Sequence, residues 1–192
     1  MLDPHLLVVM AVIWVLLPAW VASALATIPR GVGPPMDFGR SWPGDGRRIL
    51  GPSKTWSGFL FGGFAAIPVG LLEAALILAA PGNLAVVPQL APSVESAVPV
   101  VALIAFGAMT GDALGSFVKR RLGRPSGARA ILLDQLPFVA VPIALGLWLY
   151  PSLFVPVFVG WEAALWVIVL TVGLHAAFNW IGYHARLKKV PW

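Results

Sequence analysis

The chain has 192 residues, 59% hydrophobic and only 11% charged, with a mean hydropathy of +0.87. A soluble domain would carry about 25% charged residues, so a soluble fold is excluded and the length fits a single transmembrane domain, residues 1–192. The absence of Cys excludes disulfides and thiol chemistry, and the net charge of +5 lies beside apolar runs, which favours anionic lipid headgroups or a phosphorylated substrate over nucleic acid.

An apolar run needs about 20 residues to cross the hydrocarbon core. Five runs qualify: 6–28, 57–80, 98–118, 131–150 and 161–184. The first resembles a secretory leader, because Ala22-Ser23-Ala24 looks like a cleavage site. Residues 1–5 lack the positive region a leader requires, so it reads as a retained span. The sequence therefore predicts an all-α polytopic membrane protein of about five helices.

All thirteen Lys and Arg fall in three clusters. These are Arg30, Arg40, Arg47, Arg48 and Lys54; then Lys119, Arg120, Arg121, Arg124 and Arg129; then Arg186, Lys188 and Lys189. Segments 81–98 and 151–160 have none. Basic residues stay on the cytoplasmic side. The pattern predicts an outside N-terminus, a cytoplasmic C-terminus and cytoplasmic loops at 29–56 and 119–130, where an active site would lie.

Loop 29–56 is rich in Gly and Pro, ending in Gly44-Asp45-Gly46 and Gly51-Pro52-Ser53-Lys54-Thr55. That composition predicts tight turns. Lys54 and Thr55 at a loop-to-helix junction suit a phosphate, since ammonium, amides and helix dipole point the same way. The same residues also read as a capped helix start. Asp37 and Asp45 are turn formers whose interest lies in the company of Arg40, Arg47 and Arg48. Pro18, Pro68 and Pro142 inside spans read as kinks, and Glu73 as structural. Glu95 and Glu162 read as solvated boundary residues.

In the third run, Gly107, Gly111 and Gly115 form a small-residue stripe for close helix packing. Asp112 is the unusual residue there. A charge at the bilayer centre costs about 2.5–3.5 kcal/mol. Asp112, Ser116, Lys119 and Arg120 share one helix face, and a boundary ion pair of Asp112 with Lys119 or Arg120 is one reading. Asp134 follows in the fourth run. A short connection brings it near Asp112, and two carboxylates at one depth invite a hard cation such as Mg²⁺. Thr171, His175 and Asn179 form a stripe suited to interhelical hydrogen bonds.

Taken together, Gly111-Asp112, Ser116-Phe117-Val118-Lys119-Arg120, Gly123 and Asp134 resemble the signature of the CDP-diacylglycerol synthases. Asp37-Phe38-Gly39, Asp45-Gly46-Arg47-Arg48, Leu50-Gly51 and Lys54-Thr55-Trp56 look more like the archaeal branch, the CDP-archaeol synthases. The bacterial K-D pair and H-G-G run are absent, and Gln135 stands where an arginine would follow the aspartate. The resemblance implies transfer of CMP from CTP to an isoprenoid ether-lipid phosphate, with Mg²⁺ as cofactor on Asp112 and Asp134. It implies catalytic roles for Asp112, Asp134 and Lys119. Asp37, Gly46, Arg47, Lys54, Thr55, Ser116 and Arg120 would bind substrate: Lys54, Thr55 and the Gly44–Gly46 turn the CTP phosphates, and Lys119, Arg120 and Arg124 the lipid phosphate. A small transporter would need polar groups through the whole membrane depth, and the outer halves lack them. A CDP-alcohol phosphotransferase would need a longer series of aspartates. A non-catalytic lipid-binding protein would bind no nucleotide. No residue reads cytosine from the sequence.

Overall fold

The computed structural model describes residues 2–29, 31–80, 82, 84, 86–125 and 130–184. Arg30, Arg129, Arg186, Lys188 and Lys189, and the side chains of His175 and Asn179, lie outside the described residues. The described part is helical, with no strand: α1 (Pro4–Leu25), α2 (Trp56–Ala79), α3 (Val94–Arg121), α4 (Ile131–Gln135), α5 (Pro137–Leu149), α6 (Pro151–Phe158) and α7 (Trp161–His184).

Helix starts are set by side-chain caps that satisfy otherwise orphaned amides. Asp3 accepts from the amide of His5 ahead of Pro4, the first residue of α1. Thr55 caps α2 by accepting from Gly58 N at 3.2 Å. Ser93 and Ser96 form a reciprocal capping box at α3. The 28 residues of α3 rise about 42 Å, which exceeds the hydrocarbon thickness of about 30 Å. The surplus carries Lys119, Arg120 and Arg121 in its last turn, where cations complement the helix dipole.

Helices α1, α2 and α3 are each long and apolar enough to cross a membrane. Of the other two expected runs, 161–184 forms the single helix α7 and 131–150 is modified. The run at 131–150 is divided: α4 ends at Gln135, and α5 begins at Pro137 and has only 13 residues. Proline lacks the amide needed to continue the α4 ladder, so the chain restarts there. Segment 151–160, expected as a connector, holds helix α6, with Pro151 at its first position where a missing amide does no harm. Helix α6 and residues 161–174 of α7 meet at a bend of 85°, while α7 itself runs 24 residues, as long as α2. Among the described residues, three helices meet the requirement of length and composition outright, and a fourth if the bent pair counts as one.

Helix α3 lies at the centre, packed by α1, α2 and α5. The core joins Val12, Val15, Leu16 and Ala19 of α1 to Val101, Ile104, Ala105 and Ala108 of α3, and to Phe138 and Val139 of α5. Across its edge Trp20 Nε1 donates to Thr171 Oγ1 at 3.4 Å, tying α1 to α7. Glu73 is buried within α2, Glu95 is exposed, and Glu162 pairs with His5 at 2.8 Å.

The glycine stripe of α3 is a packing surface, as the spacing predicts. A Cβ on Gly107 would lie 3.1 Å from Pro142, one on Gly111 would lie 2.0 Å from the Pro137 carbonyl oxygen, and one on Gly115 would lie 2.4 Å from the Leu133 carbonyl oxygen. The obstacles at 111 and 115 are backbone, which has no rotamer to yield. Overpacking of this kind costs about 1–3 kcal/mol or more. Gly111→Ala is therefore expected to lower the melting temperature in detergent by several degrees. Gly173→Ala, where a Cβ meets nothing within 4 Å, leaves it unchanged or raises it. Differential scanning fluorimetry of the two variants checks this.

Candidate active site

Loop 31–55 folds around one carboxylate. Asp37 has a fully buried side chain. Its Oδ1 accepts from Arg48 Nη2 at 2.6 Å and Gly39 N at 3.0 Å. Its Oδ2 accepts from Gly51 N at 2.9 Å, Leu50 N at 3.1 Å and Arg48 Nε at 3.3 Å. The Gly51 amide reaches this position with φ at +104°, a region L side chains rarely adopt. Burial works to raise the Asp37 pKa. The Arg48 guanidinium and the three amides outweigh it, holding the carboxyl well below the usual carboxylate range. Both oxygens are engaged within the loop, so Asp37 acts here as the loop's organiser.

The next turn, Trp42–Arg47, is clasped to the end of α3. Trp42 N donates to Arg47 O at 2.7 Å, and Gly46, with φ at +69°, donates to Trp42 O at 2.9 Å. Arg47 Nη1 donates to the last carbonyls of α3, Arg121 O at 3.1 Å and Arg120 O at 3.5 Å. Arg121 returns the contact to Asp45 Oδ1 at 2.9 Å and Arg48 O at 2.7 Å. Its guanidinium also lies over the Phe117 and Trp42 rings, at 5.1 and 5.6 Å. Arg120 is buried and donates to Arg124 O at 2.6 Å, closing the turn after α3. Gly46, Arg47 and Arg120 are thus engaged in positioning this end of the molecule.

The remaining charges form two ion pairs. Lys54 Nζ donates to Asp112 Oδ2, and Lys119 Nζ donates to Asp134 Oδ1. The intrahelical pairing of Asp112 with Lys119 or Arg120 is not what forms. The partner of Asp112 comes from the loop before α2, and Lys119 reaches across to α4. Asp134 also closes the start of α4: its Oδ2 accepts from Ala130 N at 2.9 Å and its amide donates to Ala130 O at 2.8 Å. The four side chains are partly exposed, the carboxylates by 32% and 28% for Asp112 and Asp134. Leu133 packs on Gly115 and Pro137 on Gly111. Asp134 therefore sits about one turn from Asp112 along α3, roughly 5 Å in rise. Ser116 lies between them in sequence, buried on α3.

Of the residues singled out in the sequence, Lys54, Thr55, Asp112, Ser116, Lys119 and Asp134 thus converge on one end of the bundle. Arg121 was not singled out, and with Arg48, noted only as company for the loop acids, it carries the loop. The only signal for Arg121 in the sequence is membership of a basic cluster.

Fold and site define a helical membrane protein with paired carboxylates and ammoniums gathered at one end, groups suited to an enzyme that handles phosphates. The chain belongs to the CDP-archaeol synthase family, whose model, described as CarS-like, matches residues 5–192. A CDP-archaeol synthase of Archaeoglobus fulgidus is 41% identical over 190 residues, covering 96% of this chain and 98% of the relative. That of Halobacterium salinarum is 40% identical over 189 residues, covering 96% and 97%. That of Methanopyrus kandleri is 39% identical over 184 residues, covering 94% and 91%. A solved structure, described as an intramembrane enzyme for archaeal membrane lipids biosynthesis, is 36% identical with a TM-score of 0.58, covering 85% of this chain and 91% of that one.

The role of Asp37 is testable without substrate. Its folded pKa lies below the unfolded value of 3.8, so its stabilising contribution is complete above that pH and is lost as pH falls below it. Asp37→Asn should expose Arg40, Arg47 and Arg48 to trypsin at neutral pH. Mass mapping of limited digests in detergent is expected to show cleavage there in the variant and protection in the parent.

Proposed function

We propose that this enzyme transfers CMP from CTP to an unsaturated archaeal ether-lipid phosphate, 2,3-bis-geranylgeranyl-glycerol-1-phosphate, giving CDP-archaeol and pyrophosphate. The observation that carries the reading is the juxtaposition of Lys54–Asp112 with Lys119–Asp134 at one end of a membrane bundle, in a chain of this family. Among the described residues, the exposed side chains of the long helices are largely apolar, including Leu60, Phe64, Leu72, Leu165 and Val169, which suits prenyl chains and argues against a translocation path. The sorting of basic residues supports an outside N-terminus and a site on the cytoplasmic face of the cell membrane, where CTP is available.

Nucleotidyl transfer joins two anions in line, so the protein's contribution is mainly positioning and charge neutralisation. An oxygen of the lipid phosphate attacks the α-phosphorus of CTP. The new phosphoanhydride bond forms as the α–β bond breaks, and pyrophosphate leaves. The attacking oxygen is already ionised, so no general base is required. Lys54, one residue ahead of the α2 cap, lies where its ammonium and the positive helix end both favour the triphosphate. Lys119 in the last turn of α3 is placed for the lipid phosphate. Loop 31–55, held by Asp37 and clasped to α3, keeps Lys54 in register with Asp112.

The donor set suits Mg²⁺, which is commonly held by one or two carboxylates completed by substrate phosphates. Asp112 and Asp134 supply two, and among the described residues no cluster of three acidic or imidazole ligands forms a site without substrate. Bound there, Mg²⁺ would offset charge developing on the phosphate oxygens.

With purified protein in lipid nanodiscs, radiolabelled CTP and the lipid phosphate, labelled CDP-lipid should form. Asp112→Asn is expected to abolish formation in a variant that still folds, eluting as a monodisperse species in detergent. Near-parent turnover would overturn the assignment. Lys54→Ala, which removes a charge-assisted contact of about 1.5–3 kcal/mol, should weaken CTP binding about tenfold to a hundredfold by equilibrium dialysis.

A further inference from the structure

The two ion pairs are mutually exclusive with the roles assigned to their members. A carboxylate that holds a divalent cation cannot also be neutralised by an ammonium at the same oxygen. An ammonium that holds a phosphate must leave its carboxylate. Lys54 reaches Asp112 from the loop ahead of α2, and Lys119 reaches Asp134 from the end of α3. Each pair therefore joins two different elements, 58 residues apart for Lys54–Asp112 and 15 for Lys119–Asp134, through a flexible four-carbon stem. Both lysines are largely shielded, with side chains 22% and 13% exposed, so leaving either carboxylate or ammonium unpaired there is costly.

We infer that Lys54 and Lys119 serve as surrogate cations that occupy the divalent-ion site until a phosphate-bearing substrate draws them away. This deepens the reading above and rests on it. A divalent ion alone must displace an ammonium and strand it beside the ion. A phosphate alone must strand a carboxylate. Arriving together, the two exchange partners with no protein charge left unpaired: ammonium to phosphate, carboxylate to metal. Ion and nucleotide binding are consequently coupled, and the coupling is reciprocal. The requirement for paired exchange also keeps the site closed to divalent ions when no nucleotide is present.

The consequence runs opposite to a simple substrate-binding role. Removing Lys54 weakens nucleotide binding but should strengthen binding of the ion alone, because Asp112 is then released. The probe is Mn²⁺ titrated by electron paramagnetic resonance into nucleotide-free protein in detergent. Lys54→Met is expected to bind Mn²⁺ at least tenfold more tightly than the parent, and Lys119→Met acts in parallel through Asp134, which covers the case where one variant fails to fold. Adding Asp112→Asn to Lys54→Met should return Mn²⁺ affinity to the parent level. Equal Mn²⁺ affinity in the parent and both lysine variants overturns the surrogate role, while CTP-dependent Mn²⁺ binding by the parent still upholds the metal site. Loss of that CTP-dependent binding to the parent would instead overturn the underlying reading.

Discussion

The carbonyl oxygen of Pro137 occupies the space where a side chain on residue 111 would begin, and the Leu133 carbonyl does the same at residue 115. This backbone-to-backbone approach decides where Asp112 and Asp134 lie. Asp112 follows one of these glycines and Asp134 follows one of these carbonyls, so the contact that packs α4 and α5 on α3 also sets the depth of both carboxylates. In a medium of low dielectric, charges held this close need compensation. The two lysines supply it, each from a different element.

Loop 31–55 meets a related demand by different means. It has no apolar core of its own, and a loop of this length would otherwise cost conformational entropy to hold. Asp37 replaces the missing core with five hydrogen bonds to one carboxylate. The clasp between Arg47, Arg121 and the last carbonyls of α3 then fixes the loop to the bundle. Lys54 is therefore positioned by contacts that begin seventeen residues before it in the chain, at Asp37.

The sequence displayed some of this plainly and concealed the rest. Asp112, Ser116 and Lys119 were evident because helical periodicity is local and a carboxylate in an apolar run stands out. The packing role of Gly107, Gly111 and Gly115 followed from their spacing for the same reason. Pairing across elements was not evident: a lysine stem spans several ångströms, so Asp112 had equally plausible partners within its own helix. The apolar run at 131–150 concealed a break, because hydropathy is indifferent to Pro137 while the backbone ladder is not. Segment 151–160 concealed helix α6, because Pro151, which ends a helix in most positions, begins one here. Gly46, Arg47 and Arg120 were read as anion ligands by type, and the carbonyl contacts they also make were not legible from type alone.

The reciprocal arginine exchange at the end of α3 has a further consequence. Arg47 satisfies carbonyls of the helix terminus, and Arg121 of that terminus satisfies carbonyls of the hairpin. Neither can fray without releasing the other, so the last turn of α3 and residues 45–48 form one cooperative unit whose amides open together. Lys119 rides on that unit, and its reach toward α4 is thereby tied to the integrity of a hairpin more than seventy residues upstream.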